Sequence, residues 1–137
     1  MSNGLLKGKR GIITGALDEN SIAWKVAEKA FEHGATFVLT NAPVAMRMGK
    51  INELAAKTNS VVIPADATST EDLEKLYTHA QEVLGGKIDF ILHSIGMSVN
   101  IRKNIPYDES NYDYFQKGID VSALSLHKML AVAKKMD

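Results

Sequence analysis

The 137-residue chain has the length of one ordinary domain, and its 45% hydrophobic and 23% charged residues exclude a disordered polymer. Sixteen basic and sixteen acidic residues cancel, so net charge supplies no attraction toward nucleic acid or an anionic membrane surface, and neither is expected as a partner. With no cysteine there is no disulfide, thiolate nucleophile or zinc–thiolate centre to consider. Met1 to Arg10 lacks the apolar stretch of a signal peptide. No apolar run approaches the roughly 20 residues that span a bilayer. A cytoplasmic protein is expected.

In chain order, short apolar runs alternate with longer amphipathic segments. Gly11–Thr14 is the first run, Thr36–Thr40 the second, Ser60–Ala65 the third and Ile88–His93 the fourth. All are short and rich in β-branched or aromatic residues, the pattern of buried parallel strands. Between the first two, Ser21 to His33 places Ile22, Ala23, Val26, Ala27 and Ala30 at helical spacing, and Gly34 is suited to end that helix. Val44 to Lys57, after Pro43, reads as a second helix with Gly49 as its weak point. Thr68 to Glu71 has the spacing of a capping box, and Leu73, Leu76, Tyr77, Ala80, Val83 and Leu84 supply the buried stripe of a third helix that Gly85-Gly86 ends. Ser110 to Asp137 is helical in pattern, with a break expected near Gly118. Strands alternating with helices predict an α/β fold, a Rossmann-type doubly wound parallel sheet with strands three, two, one and four side by side. Ligands of such sheets bind beyond the carboxyl ends of the strands.

Those ends carry the candidate site. After the first strand, Gly15 permits a tight turn and Ser21 is placed to cap a helix whose first N–H groups face a phosphate. The G-x-G-x-x-G fingerprint is absent, and a purely structural turn is an equal reading of this segment alone. The second strand ends in Thr40-Asn-Ala-Pro-Val-Ala-Met-Arg47 without an acid. Asn41 could reach a ribose and Arg47 a 2′-phosphate, although a solvated arginine is the stronger reading. Asp66 after the third strand could accept from an adenine amino group, cap the next helix or pair with a lysine. His93-Ser-Ile-Gly-Met-Ser98 follows the fourth strand with small residues that admit a ligand, and His93 reads as a packed, hydrogen-bonded histidine. The four histidines show no metal-ligand spacing. None of Tyr77, Tyr107, Tyr112 and Tyr114 has a lysine four or seven positions on.

Gly15-Ala16, Ser21-Ile22-Ala23, Asp66-Ala67, His93-Ser94-Ile95-Gly96 and Lys117 to Ser122, in this order and spacing, resemble the NAD-dependent enoyl-acyl-carrier-protein reductases of bacterial fatty-acid synthesis. These form a divergent branch of the short-chain dehydrogenase/reductase family. The resemblance covers essentially the whole chain, taken as one dinucleotide-binding domain over residues 1–137. It implies that Gly15, Ala16, Ser21 and Ile22 line the pyrophosphate and ribose. It places Asp66 and Ala67 on the adenine, with Ala42 where relatives often carry a glutamine beside the adenosine. Ser94, Ile95 and Gly96 then lie against the nicotinamide half, with Val121 nearby, and Ser98 touches the acyl substrate. NADH is the implied cofactor, with NADPH left open. An enoyl thioester of acyl carrier protein is the implied substrate, and a homotetramer the implied assembly. The family's catalytic tyrosine and lysine follow a fifth strand, so the chain is expected to be the N-terminal portion of a single-domain enzyme. It carries no catalytic residue of its own and is expected to expose a sheet edge and apolar surface. Another short-chain carbonyl reductase and a non-catalytic nucleotide-binding module are the competing readings.

Overall fold

Successive residues of a strand point to opposite faces, so a strand apolar at every position needs cover on both sides. In the computed structural model, which describes residues 4–136, strands β1 (Arg10–Thr14) and β2 (Thr36–Thr40) meet that need, while β3 (Val61–Val62) and β4 (Phe90–Leu92) are only partly covered. They form one parallel sheet in the order β3-β2-β1-β4. In register, Ile12 lies beside Val38 on one side and Ile91 on the other. Ile13, Phe37 and Leu39 face helices α1 (Ile22–Glu32) and α2 (Ile51–Thr58), where Ala23, Trp24, Ala27, Ala30, Ile51 and Leu54 complete one core. Ile12, Val38, Ile63 and Ala65 face α3 (Thr70–Leu84) and α6 (Ser125–Met136) and form the second core with Leu73, Leu76, Tyr77, Ala80, Met129 and Val132. Helices therefore cover both faces, the three-layer arrangement that the alternating pattern predicts.

Glycines stop the helices as expected. Gly34, at φ +93°, turns the chain after α1, while Ala35 N–H returns to the Ala30 carbonyl. Gly85, at φ +75°, does the same after α3.

Several elements depart from the sequence reading. The third strand is shorter than Ser60–Ala65, although Ile63 and Ala65 N–H still donate to Leu39 and Asn41 carbonyls and carry the pairing on to the strand tip. The helix expected over 44–57 is split. A single 3₁₀ turn at Ala45–Arg47 is followed by Gly49 packed against Leu17, and α2 begins only at Ile51. A β-carbon at Gly49 would stand 2.6 Å from the Leu17 carbonyl oxygen, and Lys50 N–H donates to that same oxygen, so tertiary contact with the β1–α1 loop ends the periodicity. The cap of α3 is Ser69, one residue later than the sequence pattern suggested, and its hydroxyl accepts from Asp72 N–H without the reciprocal bond of a capping box. Asp72 turns outward to accept from Asp66 N–H, while Glu71 pairs with Lys75 on the surface.

The chain between β4 and the last helix makes an excursion through α4 (Val99–Arg102) and a 3₁₀ turn at Tyr107–Glu109. Buried Asn100 pins it by exchanging two hydrogen bonds with the Asn111 backbone. Helix α5 (Tyr112–Ile119) then runs through Gly118 without the expected break and passes into a π-helical turn at Asp120–Leu124 and α6. Among the described residues no helix is long and apolar enough to cross a membrane.

Candidate functional site at the strand tips

The β1–α1 loop is shaped by two residues. Gly15 adopts φ +84°, and a β-carbon there would lie 1.8 Å from the Ser94 carbonyl oxygen, so only glycine fits between the tips of β1 and β4. Thr14 joins the same two tips, its hydroxyl donating to the Leu92 carbonyl and accepting from Ser94 N–H. Ser21 stands at the head of α1, yet its hydroxyl does not cap the helix as the sequence suggested. It faces backward and accepts from Leu17 and Asp18 N–H at 3.0 and 3.1 Å. The serine therefore closes the loop on itself, and the amide end of α1 carries no side-chain cap. Such an end holds partial positive charge and N–H donors free for an anion. Ile22 is exposed at the head of the helix, beside Ser21 and Lys25 in a shallow groove.

The tips of β2 and β3 form the opposite wall of a cavity of about 340 Å³. Ala42, Asp66, Ala67, Ile95 and Val121 all line it, together with Thr14, Thr40 and Lys117. The structure thus brings these residues singled out in the sequence into one cleft, with Asn41 among its lining. Gly15 and Ser94 meet between the tips of β1 and β4, and Ala16 is buried in the core next to them. Gly96 is exposed, and a β-carbon on it would meet nothing within 4 Å, so its backbone faces open space. Ser98 uses its hydroxyl to accept from Ile101 N–H at the head of α4.

Asp66 is an exposed carboxylate held in place by Thr68, whose N–H and hydroxyl both donate to one of its oxygens, Oδ1, at 2.9 and 2.7 Å. Those bonds, led by the Thr68 hydroxyl and aided by the charges of Lys117 and Lys128, hold its carboxyl below the usual aspartate value. The carboxylate is therefore ionised at neutral pH, an acceptor aimed along the rim of the cleft. Asn41 lines the cleft and also holds the neighbouring backbone. Its amide donates to the Ala16 carbonyl and accepts from Ala42 N–H. Arg47 lies exposed on the 3₁₀ turn. His93 is the packed residue expected, its Nε2 lying 2.8 Å from the Ser125 hydroxyl. Since that hydroxyl donates to the Val121 carbonyl, the imidazole Nε2 carries the proton of the pair.

Sequence reading assigned no role to Lys128, nor to Asp120 and Ser122 within the Lys117 to Ser122 run. The π-helical turn adds one residue to the helical repeat, and this presents Val121 to the cleft while Ser122 grips the loop after β4. The Ser122 hydroxyl accepts from Met97 N–H at 3.0 Å and donates to the Met97 carbonyl at 3.3 Å. Lys128 bridges Asp120 and the Thr68 carbonyl, both at 2.9 Å, and so joins α6 to the loop carrying Asp66. No fixed spacing in sequence announces these bonds. Among the described residues no cluster of three potential metal ligands occurs.

A parallel sheet in this order, with a cleft at its carboxyl tips beside an open helix amide end, defines the chain as a Rossmann-type α/β protein. Residues 15–137 match the family model for enoyl-(acyl carrier protein) reductase, and the chain belongs to that family. The NADH-type enoyl-[acyl-carrier-protein] reductase FabI of Rickettsia bellii (strain RML369-C) is 31% identical over 137 residues, 99% of this chain and 52% of the relative. The crystal structure of a FabI–NADH complex from Alistipes finegoldii superposes with a TM-score of 0.95 at 60% identity, over 98% of this chain and 47% of that one. The Bacillus cereus enoyl-acyl carrier protein reductase, solved with NADP+ and an indole naphthyridinone, gives a TM-score of 0.84 at 28% identity over 98% and 52% of the two chains. The chain spans about half the length of the curated relatives it matches.

Proposed function

We propose that residues 1–137 are the cofactor-binding N-terminal part of a single-domain, NADH-dependent enoyl-acyl-carrier-protein reductase of bacterial fatty-acid synthesis. The reaction moves a hydride from the nicotinamide to the β-carbon of a trans-2-enoyl thioester, and the enolate then takes a proton at its α-carbon. The ionised Asp66 on the cleft at the strand tips, with Gly15 fitted between the tips of β1 and β4 and followed in the chain by the uncapped amide end of α1, carries the reading. Donors at one end suit a diphosphate, and an acceptor at the other suits an adenine amino group.

In this assignment Gly15, Ala16, Ser21 and Ile22 supply the backbone around the pyrophosphate and its ribose. Asp66, Ala67 and Ala42 border the adenosine. Ser94, Ile95, Gly96 and Val121 face the nicotinamide half, and Ser98 marks the approach of the acyl chain. When bound, the cofactor supplies the hydride; these residues hold it and shield one side of it from water. No group in this chain is assigned as the catalytic acid. NADH is favoured by the FabI–NADH complex from Alistipes finegoldii, and by the exposed placement of Arg47, the residue considered for a 2′-phosphate. A cytoplasmic homotetramer belongs to the same reading. The exposed apolar side chains Phe115, Ile119, Leu124, Leu126 and Leu130 along α5–α6 offer a surface for self-association.

The test is turnover by the full gene product. Oxidation of NADH with a crotonyl thioester, with little or none with simple ketones, is the expected outcome. Equal or better turnover of ketones would replace this reading with a carbonyl reductase. NADH binding without any turnover would leave only a nucleotide-binding module.

A further inference from the structure

We propose that Asn41 is a positioning residue that locks the β1–α1 loop onto the tip of β2, and thereby sets the spacing between the diphosphate end and the adenosine end of the cleft. This rests on the cofactor reading above. The Asn41 amide spans 25 residues of sequence, its Nδ2 donating to the Ala16 carbonyl at 2.9 Å. Its Oδ1 accepts from Ala42 N–H at 2.8 Å, which fixes the direction of the side chain. Gly15 N–H adds a third bond to the Thr40 carbonyl at 3.1 Å. On its other flank Gly15 is wedged against Ser94 and Thr14, at the root of the loop, accepts from Ser94 N–H, while Lys50 N–H holds the Leu17 carbonyl farther along. Ala16 is almost wholly buried, so loss of the Asn41 donor would strand an acceptor away from water. Among the described residues the loop's direct side-chain link to the tip of β2 is thus the Asn41 amide, and that loop carries the open end of α1.

A contact between Asn41 and the ribose predicts the opposite response to one substitution. Asn41→Asp keeps the acceptor for Ala42 N–H but replaces the donor with an oxygen facing the Ala16 carbonyl. It also supplies the carboxylate that many dinucleotide-binding folds use to hold ribose hydroxyls. If Asn41 touched the ribose, the aspartate would preserve or tighten NADH binding. If it positions the loop, the aspartate weakens it.

The measurement is the affinity of the full gene product, unaltered and as Asn41→Asp, for NADH, ADP-ribose and adenosine. The expected result is a loss of about tenfold for NADH and ADP-ribose. Adenosine, which lacks the diphosphate, should stay within about twofold and so reports that the variant is folded. In turnover, KM for NADH should rise while kcat holds. Asn41→Ala removes the donor without adding charge and should show the same ordering, with ADP-ribose losing more than adenosine. Undiminished NADH affinity in Asn41→Asp, or parallel loss of adenosine and ADP-ribose in both variants, overturns the proposal. Failure of the unaltered protein to bind NADH overturns the cofactor reading, and this inference with it.

Discussion

Strands β1 and β4 lie side by side in register, yet they are held in different ways. In β1 every residue from Gly11 to Thr14 is buried, closed in by β2, by β4 and by helices on both faces. In β4, Phe90, Ile91 and Leu92 are only half-buried, since β1 is its one neighbour in the sheet and apolar grooves run along both of its faces. The tip of β1 inherits its position from a filled core. The loop after β4 is placed by named hydrogen bonds, from Thr14, Ser122 and Asn100. Burial is strong and tolerant of small chemical change, whereas a discrete hydrogen bond is lost with one atom. The tip of β1 is therefore expected to be the robust part of the cleft, and the loop carrying Ile95 and Gly96 the sensitive one.

The most direct way to break this comparison is to make the same cut in paired residues. Ile12 and Ile91 are Cα partners, with Ile12 1% exposed and Ile91 half-buried. In denaturant unfolding of the 137-residue chain, Ile12→Ala should cost about 4 kcal/mol and Ile91→Ala about 2 kcal/mol. Equal losses would mean that β4 is as closed as β1, and the contrast would fall. A finer probe is Ser122→Ala, which removes both bonds to Met97 at a cost of about 1 kcal/mol. Amide exchange at Met97 should quicken by roughly tenfold while exchange at Ile12 and Val38 is unchanged. Uniform quickening would show that the loop and the core open as one unit.

The same contrast governs what the sequence revealed. Strands, their order and the helix-ending glycines were legible because they depend on local period and on backbone freedom, both written in neighbouring residues. Asp66 and Ile95 followed from the rule that ligands meet strand tips, whereas Ala42, Ala67 and Val121 came from the family resemblance; all five line one cleft. The role of Asn41 was not legible, because its partner Ala16 is 25 residues away and either end of an amide can serve many acceptors and donors. The split of the expected 44–57 helix depends on Leu17 pressing on Gly49, and the π-helical turn depends on Met97 and Thr68 drawing Ser122 and Lys128 toward them. These are tertiary contacts overriding a helical pattern. They concentrate around the cleft, where local preference and site geometry pull in different directions.

The smallest effect carries the sharpest sign. Tyr77, on α3, is 4% exposed, and among the described residues its hydroxyl has no hydrogen-bond partner. It lines the groove beside β4 with Phe90, Ile91 and Met129. Burial pushes its pKa up to about 12 from an ordinary 10.0. An unfolded chain therefore releases this proton first as pH rises, so stability present at pH 10 and below drains away between about pH 10 and 12. Tyr77→Phe should abolish that slope and, by removing an unpaired buried hydroxyl, raise stability at pH 7 by up to about 1 kcal/mol. In the full gene product the sign becomes diagnostic. A gain means that the groove beside β4 stays without an acceptor for Tyr77, whereas a loss means that a polar group from elsewhere has reached into it and closed the open side.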